Sequence, residues 1–344
     1  MQNKITKPSR LLDEHGELIQ KGYATSLLLE YRRKDVKYRK LRLKEWDYYL
    51  IYNDDIGFAI TVGQSTTVVL ISATFFDFKA ATQTTQSIVK LLPKGKLYMP
   101  ESSEVGDIKY RDAFVTLSIK HDGDNRVLNL KWKNYKDDFD LITSITLSDE
   151  STDSMVIATP FLQDKKAFYY NQKIIGMRAS GKLLYKGVRY DFKNESSFGI
   201  LDWGRGVWPY KTTWYWSAAQ GTIEGHLFGF NFGYGFGDTT AATENMLFYD
   251  GLAYKLEDVF FIIPKDENNN YDYLKPWTII SSDNRVELEF LPILDRNVNL
   301  NAYLLSTNQH QVFGHFKGHI FLDVNKIITL DNFLGFAERV ENKW

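Results

Sequence analysis

The dominant periodicity of apolar side chains in this sequence is two. In Val127-Leu-Asn-Leu-Lys-Trp-Lys133, Leu128, Leu130 and Trp132 fall on one side of an extended chain, and Asn129, Lys131 and Lys133 fall on the other. Val286-Glu-Leu-Glu-Phe290 and Tyr48-Tyr-Leu-Ile-Tyr52 alternate in the same way. Successive side chains of a strand point to opposite faces, so each run predicts one buried face and one wet face. The runs return roughly every 10 residues, as in sandwiches and barrels. Asp122-Gly123, Asp250-Gly251 and Ser282-Asp-Asn284 stand between such runs and accept the positive φ angles of tight hairpins. Only Ala80 to Leu92 and Thr239 to Met246 read as short helices. The expected fold is all-β and antiparallel.

A chain of 344 residues exceeds one ordinary core and suits two domains. Thr159-Pro160 and Gln163-Asp-Lys-Lys166 interrupt the strand pattern, which places the expected division at residues 1–160 and 161–344. Glycines then crowd between Gly199 and Gly237, and glycine inside a strand marks a bulge, a bend or a close approach. The formal charge of -1 offers no basic field for phosphates, so nucleic acid is not an expected partner. With no cysteine there are no disulfides, thiolate metal sites or cysteine nucleophiles. The start, Met1-Gln-Asn-Lys-Ile-Thr-Lys-Pro-Ser-Arg10, lacks an apolar signal core, and Val68 to Phe76 is far short of the about 20 apolar residues of a spanning helix. A cytoplasmic protein without a transmembrane segment is expected.

Half of the 8 tryptophans, Trp203, Trp208, Trp214 and Trp216, lie in one window that also holds Asp202, Arg205 and Tyr210. Trp214 and Trp216 are two apart and share a strand face. Desolvation among indole rings favours the protonated form of a carboxylate, which makes Asp202 the candidate proton donor. Arg205, three residues on, is expected to tune it, or to pair with it and make it purely structural.

The run Leu201-Asp-Trp-Gly-Arg-Gly-Val-Trp-Pro-Tyr210, followed by Trp214-Tyr-Trp216, resembles a bacterial family of uncharacterised domains, DUF2804. Leu11-Leu-Asp-Glu-His-Gly16, Lys44-Glu-Trp-Asp-Tyr-Tyr49, Glu244-Asn-Met-Leu-Phe248, Phe313-Gly-His-Phe-Lys-Gly318 and Gly335-Phe-Ala-Glu-Arg339 extend the likeness along the chain. More distantly, the family is similar to a superfamily of paired lipocalin-like β-domains that includes carotenoid 1,2-hydratase, tocopherol cyclase and fungal Diels-Alderase-type cyclases. The resemblance implies two lipocalin-like barrels or curved sheets, and an apolar isoprenoid or polyene substrate handled by acid chemistry or by positioning. Asp202-Trp203-Gly204 matches the superfamily's polar residue-Trp-Gly element. Ser197-Phe-Gly-Ile-Leu201 replaces the hydratase's His-Asp-rich stretch, which argues against hydration in particular.

Other chemistry has weaker support. Gly233-Tyr-Gly-Phe-Gly237 lacks GxGxxG spacing and a βαβ context, so no nucleotide cofactor is expected. His315 and His319 share a strand face, with His310 near, but residues four apart on a strand are about 13 Å apart, too far to chelate one ion unless the chain bends at Gly314 or Gly318. No metal is expected. There is no G-x-S-x-G elbow. Asp202, Glu224, Asp238 and Glu244 could supply the paired carboxylates of a glycosidase, and aromatic rings suit sugar faces. Glu244-Asn245 is expected at the barrel mouth, and Lys44 to Tyr49 between the domains with its charges exposed.

The leading expectation is a cavity for an apolar or amphipathic small molecule, open to acid-assisted isomerisation, hydration or cyclisation. Its wall would be Trp203, Trp208, Tyr210, Trp214 and Trp216, with Glu244 and Asn245 nearby and Asp202 and Arg205 as the reactive pair. The alternatives are a carbohydrate-binding or carbohydrate-active protein, and a non-catalytic carrier.

Overall fold

A computed structural model describes residues 2–37, 42–91, 97–148, 152–302, 305–323 and 326–343. The chain forms two large curved sheets, of 13 and 9 strands. Across the first sheet the strands run Thr82–Leu91, Val68–Asp77, Ile56–Ser65, Leu43–Tyr52, Phe198–Val207, Asp164–Tyr185, Phe139–Ser148, Asn125–Lys136, Val115–Asp122 and Ile108–Arg111. Across the second they run Leu252–Lys255, Met246–Tyr249, His226–Tyr234, Lys211–Ile223, Lys326–Lys343, Leu305–Asp323, Val286–Ala302, Trp277–Ser281 and Val259–Ile262.

Each sheet curls on itself. The Tyr135 hydroxyl donates to the Ala73 carbonyl at 2.9 Å and to that of Thr84, spanning the opening of the first sheet. The Phe261 N–H donates to the Tyr234 hydroxyl at 3.3 Å in the second. Three apolar cores result. One, with Tyr49, Phe58, Trp132, Leu147 and Trp203, fills the first sheet's concave side. A second, with Phe228, Phe230, Trp277 and Phe316, fills the other sheet. The third, with Tyr48, Leu50, Ile200, Trp216, Phe313 and Phe336, lies between them.

The alternation of Leu128, Leu130 and Trp132 is seen as expected, all three buried. The hairpins turn at Gly123, at Asp250-Gly251 and at Asn284, each with positive φ. Tyr48 to Tyr52 departs from expectation because both of its faces are covered: Tyr48, Leu50 and Tyr52 enter the core between the sheets, and Tyr49 and Ile51 enter the first core. Lys44, Glu45 and Asp47 are likewise buried rather than exposed. Ion pairs permit this, since Arg33 holds Glu45 and Arg205 holds Asp47, each at 2.9 Å.

Thr82–Leu91 is a strand, not a helix. Its β-branched Thr82, Thr84, Thr85, Ile88 and Val89 suit a pleated surface, and it pairs in register with Val68–Asp77. Leu92 lies outside the described residues. The segment from Thr239 to Asn245 is turn and loop, and the described residues hold a 3₁₀ turn at Arg33–Asp35. The chain changes sheet between Val207 and Lys211, so strands beyond residue 160 still belong to the first sheet. Pro160 instead pairs opposite Phe168, near the end of a hairpin. Among the described residues, no helix is long and apolar enough to cross a membrane.

Candidate functional site

Strand parity sorts the aromatic-glycine segment. On Phe198–Val207, Leu201, Trp203 and Val207 enter the first core, whereas Ile200 enters the core between the sheets. Asp202 shares the parity of Ile200 and turns toward the second sheet. Across three strands it stands in a row with Lys173 and Tyr48, and the next row is Asn171, Gly204 and Trp46. A Cβ on Gly204 would lie 2.0 Å from the Trp46 ring, so glycine is what lets the indole cross the strand. The Trp46 Nε1–H thereby donates to Asp202 Oδ2 at 3.0 Å.

Asp202 Oδ1 accepts from Asn171 Nδ2 at 2.6 Å and from Lys173 Nζ at 2.8 Å. Arg205 is not its partner. Three residues along a strand reverses the face, and the Arg205 guanidinium donates to Asp47 Oδ1 at 2.9 Å and to the Trp46 and Pro100 carbonyls at 2.8 Å each. The ion pair with Asp202 expected of Arg205 is made by Lys173.

The second sheet supplies the facing row, Trp216, Glu338, Gln311 and Arg296, with Gly233 beside Trp216. Lys173 Nζ sits 4.1 Å from the Trp216 ring centroid, bridging the two sheets. The Tyr48 hydroxyl donates to Gln311 Oε1 at 3.3 Å, which also accepts from Arg296 at 3.0 Å. Trp214 Nε1–H donates to Glu338 Oε1 at 3.0 Å, and Trp216 Nε1–H to Asn231 Oδ1 at 2.7 Å. A Cβ on Gly233 would come within 2.6 Å of the Glu244 carboxyl carbon, which seats that carboxyl against the strand beside Trp216.

Three carboxyls and one ammonium thus share a nearly dry junction, with Lys173 3% exposed, Glu338 4%, and Asp202 and Glu244 7% each. Burial pushes Glu338 up to about 7, helped by the charge of Asp202 and opposed by the Trp214 hydrogen bond and by Lys173. Burial also raises Glu244, with Lys173 opposing and Asp202 adding. A carboxyl that titrates near 7 is suited to proton transfer at neutral pH.

Aromatic rings close the outer side. Trp46 stacks on Tyr169 at 6.2 Å and meets Trp208 edge-on at 5.0 Å. Phe236 joins Tyr169 at 4.7 Å, and Trp208 and Trp214 at 5.3 Å each. Outside Trp208 opens a pocket of about 290 Å³, lined also by Arg42, Asp164, Ala167, Pro209 and Tyr210. A second pocket of about 150 Å³ adjoins it through Gln163 and Pro209.

The fold therefore gathers Asp202, Trp208, Trp214, Trp216 and Glu244. Trp203 is separated from them, buried in the first core with Arg205 Cζ 4.3 Å from its ring. Tyr210 is 39% exposed at the pocket rim. Asn245 binds backbone, accepting from the Gly233 N–H at 2.8 Å and donating to the Glu257 carbonyl at 2.9 Å. Sequence reasoning missed Lys173, Asn171 and Glu338. Lys173 had a signal, as the lone charge within Ala167-Phe-Tyr-Tyr-Asn-Gln-Lys-Ile-Ile-Gly176. His310 pairs with Asp295 at 2.7 Å, and His319 meets Thr329. Among the described residues no three His, Asp or Glu side chains gather to hold a metal ion.

Among solved structures, the chain is similar to a candidate AttH from Nitrosomonas europaea, at 13% identity and a TM-score of 0.55, covering 90% of this chain and 96% of that one. It is similar to CghA with Sch210972, at 11% identity and a TM-score of 0.54, covering 88% of each chain. Kievitone hydratase from Nectria haematococca matches at 9% identity and a TM-score of 0.48, again over 88% of each chain. The first two likenesses establish the architecture of paired, lipocalin-like curved sheets. A search of curated proteins gave no match. By sequence, the match to the family described as "Domain of unknown function (DUF2804)" runs over residues 2–344, and the chain belongs to that family.

Proposed function

We propose that the junction between the two sheets binds an apolar or amphipathic small molecule of lipid or isoprenoid type and performs acid-assisted isomerisation, hydration or cyclisation on it. The observation that carries this reading is a buried acid, Glu338, held by the Trp214 indole across from the Lys173–Asp202 pair. Glu338 is the proton donor in this scheme, because its carboxyl titrates near neutrality. Asp202 accepts hydrogen bonds from Trp46, Asn171 and Lys173, so both of its oxygens are engaged as acceptors. The ring face of Trp214 suits a transient cation on the substrate, that of Trp216 being held by Lys173. Asn171 Oδ1 is buried without a donor and would accept one from a water or a substrate hydroxyl.

Native mass spectrometry of the purified protein, with tryptophan-fluorescence titration, tests the ligand class. A co-purifying apolar molecule, and quenching by isoprenoids or fatty acids but not by oligosaccharides, is the expected result. Quenching by oligosaccharides alone would move the site to sugar chemistry. Binding of an apolar ligand that emerges unchanged after prolonged incubation would make the protein a carrier.

A further inference from the structure

Building on that reading of the junction, we infer that the outer pocket is an acid-head subsite: Arg42 receives the carboxylate of an amphipathic ligand whose apolar body passes Trp208 toward Asp202. Among the described residues, the lining of the pocket of about 290 Å³ brings the Arg42 cation together with the Trp208 and Tyr210 rings and the Asp164 carboxyl. Trp208 also forms the wall between this pocket and the junction, since its ring meets Trp46 at 5.0 Å and Trp46 donates to Asp202. Two indoles, Trp208 and then Trp46, thus separate a ligand seated in the pocket from Asp202.

Two basic side chains, Arg42 and Lys44, border Trp208 at the mouth. Lys44 stands opposite Gly206 in the register, with its ammonium 4.7 Å from the Trp208 ring centroid. Burial foremost, and then the nearby Arg42, push that ammonium down to about 6, and a carboxylate bound beside it would favour its charged form again. The acid of the lining, Asp164, accepts the Lys166 N–H on Oδ1 at 3.1 Å. A guanidinium beside aromatic surface matches a carboxylate by paired hydrogen bonds while the rings take the adjoining methylenes. The volume suits a head group and a few carbons, which leaves the rest of the chain to the junction.

Tryptophan-fluorescence titration with dodecanoate and with dodecanol separates this subsite from the reading beneath it. The acid is expected to bind about tenfold more tightly than the alcohol, and Arg42→Met to remove that advantage while leaving alcohol binding unchanged. Equal binding of acid and alcohol by the unaltered protein would overturn the acid-head subsite and leave the apolar site standing. Binding of neither would overturn the apolar site itself. Arg42→Lys, which keeps the charge but loses the paired geometry, is expected to retain part of the preference. Full loss of alcohol binding in Arg42→Met would show that Arg42 supports the fold, and would also count against the subsite.

Discussion

Lys173 joins the two sheets through Asp202: its Nζ lies 2.8 Å from Asp202 Oδ1 on the neighbouring strand and 4.1 Å from the Trp216 ring on the opposing sheet. Both members of the pair are withdrawn from water, so neither is replaceable without cost to the other. Their placement sets a polar, charged cluster within the apolar core that lies between the sheets.

Lys173→Met should therefore destabilise the protein by about 3–5 kcal/mol, because Asp202 would remain buried with only neutral donors. Pairing it with Asp202→Asn should cost less than the sum of the two single changes. Urea unfolding of the four proteins gives the coupling, and strict additivity would mean that the pair contributes nothing.

Glu338 gives a pH signature. Its folded carboxyl titrates at about 7 against an ordinary 4.5, so between these values the native state binds more protons than the unfolded chain. Stability should then fall as pH rises through that window, by on the order of 3 kcal/mol in total, and level off above it. Glu338→Gln retains an oxygen for the Trp214 indole and removes the titration. The variant's stability should be flat in that window apart from other groups, and it should exceed the parent's at pH 8.

Gly204→Ala places a methyl where the Trp46 ring now sits, 2.0 Å away. The indole must move, and its hydrogen bond to Asp202 is lost with it. A cost of about 1–3 kcal/mol is expected, together with a changed near-ultraviolet circular dichroism spectrum. An unchanged spectrum would show that Trp46 does not lie across this strand.

Arg205 separates stability from function. It is fully buried on the other face, with Asp47 at 2.9 Å and Glu45 at 3.9 Å. Arg205→Met should cost about 3–5 kcal/mol, since Asp47 loses its cation while Glu45 keeps Arg33. Ligand affinity at the junction, measured by fluorescence below the unfolding temperature, should change less than threefold. A loss comparable with that of Trp216→Ala would place Arg205 in the site after all.

The architecture was legible in the sequence because period-two patterning and turn residues such as Asp250-Gly251 report locally on strand and hairpin. Thr82–Leu91 was misread because an edge strand with many polar residues has no clean alternation, and its register comes from pairing with Val68–Asp77. Asp202, Trp214 and Trp216 were found through the density of rings. Arg205 was misassigned because nearness in sequence was set above strand parity, which sends residues 202 and 205 to opposite faces. Glu338 and Lys173 could not be paired with this segment in advance. They reach it from Lys326–Lys343 and Asp164–Tyr185, strands whose register is fixed by long-range pairing.

The central proposal is that a guest in the junction is altered by a proton from Glu338. Its most direct test is to extract and weigh the small molecules held by the parent protein and by Glu338→Gln, both expressed and purified identically. The variant should retain an unreacted apolar molecule that the parent, given the same molecule, converts to an isomer, hydrate or cyclised form. Equal conversion by both proteins, or an empty junction in both under conditions where each is folded, would contradict it.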